Sequence, residues 1–143
     1  MLSHQDLAPL RLRDLLPADA EIVEHDGWEW MGHSWWYEGI GFTWFGRLER
    51  EPLKTAAFEL SLSELSVEQL ASLARALALP IRHGMPLTEL VGLFGDPIDH
   101  QKFVSDRDSY DFLVSTGGPY RLSATIHKEG GLIHLSAILA TLA

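Results

Sequence analysis

The chain contains no cysteine, which excludes disulfides, iron–sulfur clusters and thiolate zinc sites. No uninterrupted apolar run approaches the roughly 18 residues of a membrane-spanning helix. The opening segment, MLSHQDLAPLRLRDLL, has neither the basic region nor the apolar stretch of a secretion signal. The expectation is a soluble, cytoplasmic protein without membrane association. Lys and Arg are also absent between Asp14 and Gly46, although Asp14, Asp19, Glu21, Glu24, Asp26, Glu29 and Glu38 all fall there. With a formal net charge of −9, such a segment repels phosphate backbones, so no nucleic-acid partner is expected. It reads as a solvated surface that keeps the protein soluble, or as a patch that steers a basic protein partner.

Catalytic signatures are missing too. There is no G-x-S-x-G, no P-loop lysine and no thiol nucleophile. GIGFTWFG places Gly39 and Gly41 like a dinucleotide loop, but the third glycine falls at 46 instead of 44 and opens no helix. Of the seven histidines, His25 and His33 flank an aromatic cluster at a spacing that matches no ligand motif. His127 and His134 are placed to pair across a hairpin at EGG. SDRDSYD, with Arg107 among Asp106, Asp108 and Asp111, reads as a charged turn. No metal, no cofactor and no enzymatic activity are expected.

What is present is patterning. Residues 5–16 predict a helix with Leu7, Leu10 and Leu15 on one stripe, its start blurred by Pro9. From Glu21 to about Leu62 the pattern is that of strands, with TAAFELSL alternating Ala56, Phe58, Leu60 and Leu62 against Ala57, Glu59 and Ser61. Ser66 and Gln69 form a capping box for a helix whose buried stripe is Val67, Leu70, Leu73, Ala74 and Leu77, ended by Pro80. A shorter helix carries Leu87, Leu90, Val91 and Phe94, with Pro86 at its first position and Gly95 closing it. Then SYDFLVS, PYRLSATIHK and LIHLSAIL read as an antiparallel meander with one wet face, and EGG as the last hairpin turn.

The two halves repeat one order, helices followed by strands, and LRLRDLLPADAEIVE is patterned like LTELVGLFGDPIDHQ. The fold class expected is therefore α+β, two tandem units of N-terminal helix or helices plus antiparallel sheet. The units are 1–63, a helix with a Trp-rich sheet, and 64–143, two helices with a sheet, in one domain sharing a core.

Gly84, Met85, Glu89, Leu90, Leu93, Phe94, Gly95 and Pro97 in HGMPLTELVGLFGDP resemble the signature of the SmpA/OmlA-type outer-membrane assembly lipoproteins and the beta-lactamase inhibitor proteins. The chain departs from that pattern at Pro86, where those families place Ser or Thr, and it lacks the lipid-bearing cysteine and the disulfides. The resemblance implies tandem helix-plus-sheet units used for gripping other proteins. In build and acidity the chain also resembles bacterial immunity proteins, which neutralise a toxin made by the same cell.

Every tryptophan lies between Trp28 and Trp44, in WEWMGHSWWYEGIGFTW. Strand alternation puts Trp36, Ile40, Phe42 and Trp44 together on a core face and Trp35 with Tyr37 on the other, above Gly39 and Gly41. Trp and Tyr are enriched at interface hot spots because they bury large area at little entropic cost. The expected partner-binding residues are Asp26, Trp28, Glu29, Trp30, Trp35, Tyr37 and Glu38, with one of Trp28 and Trp30 facing outward. The expected role is a protein-binding immunity or inhibitor module that blocks a basic partner such as a toxin domain. Alternatives are a small-molecule binder or hydrolase using the aromatic trough, and an assembly subunit or homodimer; the sequence does not set the oligomeric state.

Overall fold

The computed structural model describes residues 1–7, 10–16, 18–25, 28–31, 40–45, 54–114 and 120–139. Two short helices, α1 (His4–Leu7) and α2 (Leu12–Leu15), precede the strands β1 (Ile22–His25), β2 (Trp28–Met31), β3 (Ile40–Phe45) and β4 (Lys54–Ser61). A 3-10 turn (Leu62–Glu64) leads to α3 (Val67–Ala76) and α4 (Leu87–Phe94), and then to β5 (Asp99–Val104), β6 (Arg107–Val114), β7 (Tyr120–His127) and β8 (Gly131–Leu139). The fold is α+β, with two tandem units of helices followed by an antiparallel meander. All eight strands form one sheet in the order β1-β2-β3-β4-β8-β7-β6-β5, so the last strand of each unit meets the other at the middle.

Helices and sheet share one core. Leu7, Leu12, Leu70, Leu73, Leu77 and Leu90 pack with Phe58, Leu60, Phe112, Tyr120, Leu122 and Leu135, all essentially inaccessible. Burial pushes the Tyr120 phenol up to about 12, because the ionised form loses its hydration there.

The expected N-terminal helix is two single turns. Arg11 is extended (φ −112°, ψ 159°) and its N–H donates to Asp14 Oδ2 at 2.8 Å, which starts α2 afresh. That places Leu12, absent from the expected stripe, in the core.

In α3 the capping box forms as expected. Gln69 N–H donates to Ser66 Oγ at 3.1 Å and Ser66 N–H to Gln69 Oε1 at 2.9 Å. Val67 does not join the stripe; at 70% exposure it sits in a first turn that projects beyond the core. Nor does Pro80 end the helix. Ala78 takes the left-handed conformation (φ 52°), Leu79 N–H donates to Ala74 O at 2.8 Å and Ala78 N–H to Arg75 O at 3.2 Å. That pair of bonds is a Schellman closure with alanine where glycine is usual.

Pro86 lies one position before α4, as its N-cap, and Gly95 N–H closes the helix on Val91 O at 2.9 Å. Arg82 grips Glu89 with both guanidinium arms, one at 2.7 Å, which raises the pKa of Arg82 and lowers that of Glu89.

The segment before α4 is held by backbone contact. Leu132 N–H donates to Met85 O at 2.9 Å. Gly131 has φ 70°, and a Cβ on it would lie 2.5 Å from the carbonyl carbon of Gly84. Only glycine fits there. His83 Nε2 meets Leu62 O at 2.7 Å and Leu65 O at 2.9 Å, tying the same segment to the end of the first unit.

The hairpin at EGG sets His127 opposite Gly131 and His134 opposite Thr125, so the two histidines do not pair. The three intervening residues set His127 opposite Gly131, and a register shift between Thr125 and Ile126 brings His134 opposite Thr125. Arg107 to Asp111 belong to β6 and not to a turn; their alternation feeds both faces of the sheet. β5, the outer strand of its unit, skips register between Lys102 and Val104.

Candidate partner-binding face

Of the residues expected to meet a partner, Asp26, Trp35, Tyr37 and Glu38 lie outside the described residues, as does the side chain of Trp28. Trp36 is likewise outside, and the side chain of Trp44 with it. Glu29 and Trp30 are described, and both are buried, at 5% and 7% exposure. Neither is presented to a partner.

Glu29 fails for a reason visible in register. It stands opposite Phe42, in the cross-strand row that continues through Phe58, Ala137, Leu122 and Phe112. That row faces the helices, so Glu29 occupies a core position. Its carboxylate is compensated there. Leu12 N–H donates to Oε2 at 3.0 Å, Arg11 Nε donates to Oε1 at 3.2 Å and Arg11 Nη2 donates to the same oxygen. Arg11 also reaches Glu24 Oε1 at 3.1 Å. The Arg11 pKa is raised, first by the Glu29 hydrogen bond and then by its charge. Glu29 therefore fastens α2 to β2.

Trp30, one residue on, points away from the helices. Directly opposed residues of antiparallel strands share a face, so its row can be followed across all eight strands. It runs Val23, Trp30, Gly41, Glu59, Ser136, Ser123, Asp111, Asp99. Beside it runs Ser61, His134, Thr125, Ser109, Gln101. Over β8 to β5 these rows consist of short polar side chains, and the described helices all lie behind them, on the core face.

The result is a depression of about 310 Å3 lined by Asp99, Gln101, Ser109, Asp111, Ser123, Thr125, His134 and Ser136, with His100 at its margin. Small-molecule sites are lined mainly by apolar and aromatic groups; this one is not.

The charges on this face are unequally matched. Arg121 donates to Asp111 Oδ2 from Nε at 2.8 Å and from Nη2 at 2.5 Å, while Ser123 Oγ–H donates to Oδ1 at 2.7 Å. Asp111 is thereby saturated. Asp99 Oδ1 accepts His100 N–H at 2.9 Å, while Oδ2 lies 3.7 Å from Arg121 and receives Gln101 Nε2–H at 3.5 Å. Glu59, at the other end of the row, has no hydrogen-bond or ion-pair partner among the described residues. His134 does not supply one: burial lowers its pKa, and the charge of Glu59 opposes that only in part. It is neutral near pH 7.

His100 and His127 serve structure. His100 stacks on Tyr110 at 4.3 Å between ring centres and lies 3.1 Å from Asp108. His127 Nδ1 accepts N–H bonds from Glu129 and Gly130, each at 3.1 Å, and its Nε2 lies 3.2 Å from Asp106. Asp106 is held low in pKa chiefly by Arg107. Among the described residues no group of His, Asp and Glu is arranged to hold a metal ion, and no helix is long and apolar enough to cross a membrane. Comparison of the chain with known protein families, with characterised proteins and with solved structures finds no match.

Proposed function

We propose that this chain is a non-enzymatic protein-binding module, of the immunity or inhibitor kind, whose contact surface is the face of β4 to β8 turned away from the described helices. The observation that carries the reading is the pair of cross-strand rows. They form a broad polar face of Ser, Thr, Asp and His, backed by a rigid core and crossed by no described helix. A face of this kind offers hydroxyls and carboxylates over a wide, shallow area. That suits a macromolecule that brings its own protrusion, and an interface of roughly 1,200–2,000 Å2 in total.

Charge favours a basic partner. From β4 to β5 the row runs from Glu59 to Asp99, and the protein carries nine net negative charges. Complementary charge accelerates encounter and rejects acidic competitors. Inhibition then follows from occlusion, with no group transferred and no cofactor required.

The test is a paired affinity capture from extract of the cells that make the protein, with the wild type and a Ser136→Trp variant immobilised side by side. A protein retained by the wild type and lost from the folded variant is expected. Equal retention by both, or recovery of a metabolite without any protein, overturns the proposal.

A further inference from the structure

The same face specifies its occupant more narrowly, on the premise that it is the contact surface. We infer that it receives an extended segment of the partner laid across the strands, with one arginine over Glu59 and a second over Asp99. Both carboxylates belong to a single row, separated by Ser136, Ser123 and the saturated Asp111. Four interstrand steps of about 4.8 Å put them about 19 Å apart. An extended chain advancing about 3.3 Å per residue returns to the same side every second residue and covers about 20 Å in six. Arginines at i and i+6 therefore match the two acids, while the intervening outward side chains meet serine hydroxyls.

Charge complementarity decides for a cation at each end. Counting Glu59, Asp99 and Asp111 against Arg121, the face carries two negative charges in excess, and Arg121 is committed to Asp111. Among the described residues, those beside Glu59 are Gly41 on β3, Ser136 and neutral His134 on β8, and Ser61 on its own strand, none of which offers a positive charge.

Arginine is favoured over lysine because a planar guanidinium makes two parallel bonds to one carboxylate. On this face Asp111 already receives two guanidinium N–H groups of Arg121 on Oδ2, with Ser123 completing Oδ1. Ser136 stands beside Glu59 as Ser123 stands beside Asp111.

The probes are synthetic nine-residue peptides in a Gly/Ser background, with arginine at positions two and eight or at positions two and five. Each is titrated into the full-length 15N-labelled protein at low salt, following backbone amide shifts. The wider spacing is expected to bind about fivefold tighter, with shifts concentrated on β4, β8 and β5. Glu59→Gln and Asp99→Asn are each expected to abolish that preference. Acidification below the ordinary histidine range, where His134 gains its proton, is expected to weaken binding, since protonated His134 competes for Glu59.

Equal affinity for the two spacings overturns the inference, as do shifts confined to the acidic segment before Gly46. If that happens while Ser136→Trp still abolishes protein capture, the docking face stands and only its arginine occupant falls.

Discussion

The two units follow one plan and solve its central difficulty differently. In the second, α3 has 10 residues and α4 has 8, long enough for apolar groups at i, i+3, i+4 and i+7 to reach the sheet. In the first, α1 and α2 have 4 residues each. A single turn fully buries one apolar side chain, Leu7 or Leu12, with Leu15 half-buried beside Leu12, and is not self-supporting. There the chain substitutes an ion link, Arg11 to Glu29, for the missing stripe. Burying a carboxylate in a core row is tolerable only because two donors meet it. Where a helix is too short to pack, a charge inside the sheet takes over its attachment.

Substitutions can break that contrast. The largest effect is expected at the backbone contact that ties α4 to the last hairpin: Gly131→Ala forces a methyl against Gly84 at positive φ. It should cost about 3–4 kcal/mol, read as the midpoint shift in urea unfolding. A loss under about 1 kcal/mol would mean the two segments separate freely.

Next comes Glu29→Ala, which leaves Leu12 N–H unpaired and releases Arg11. It should cost about 2–3 kcal/mol and raise hydrogen exchange in residues 10–16 while β5 to β8 stay protected. Uniform loss of protection across both units would show that α2 is not separately fastened.

The smallest effect sharpens the account of the longer helices. Ala78→Gly removes a left-handed alanine from the end of α3 and should raise stability by about 0.5–1 kcal/mol. No gain in thermal midpoint would remove strain from the description of that closure.

Much of the second unit was legible in its residues. Alternation in PYRLSATIHK separates Tyr120, Leu122 and Ala124, which are buried, from Arg121, Ser123 and Thr125, which are not. Ser66 and Gln69 announce α3 because a capping box is local chemistry. The wet face is visible in the same alternation, although its serines and threonines carry no local sign of a binding role.

The register that gathers Glu59, Ser136, Ser123, Asp111 and Asp99 depends on β4 meeting β8, a pairing between residues far apart in sequence. No local pattern encodes it. Glu29 was misplaced for a related reason: acidity suggests a surface, and only the approach of Arg11 and Leu12 makes a core position habitable for it. Ala78 shows a third kind of miss, because nothing in an alanine announces positive φ.

A sheet that passes unbroken through both units leaves, among the described residues, two unpaired rims, at β1 and β5. Rims invite other chains to zip on. Along β5 the invitation is withdrawn partway: the ladder skips a residue at Phe103, beside Lys102, with Ile98 and Val104 exposed at either end. An incoming strand would lose its hydrogen-bond rhythm at the skip and confront a cation there. One irregular residue thus interrupts that rim as a template for a further strand.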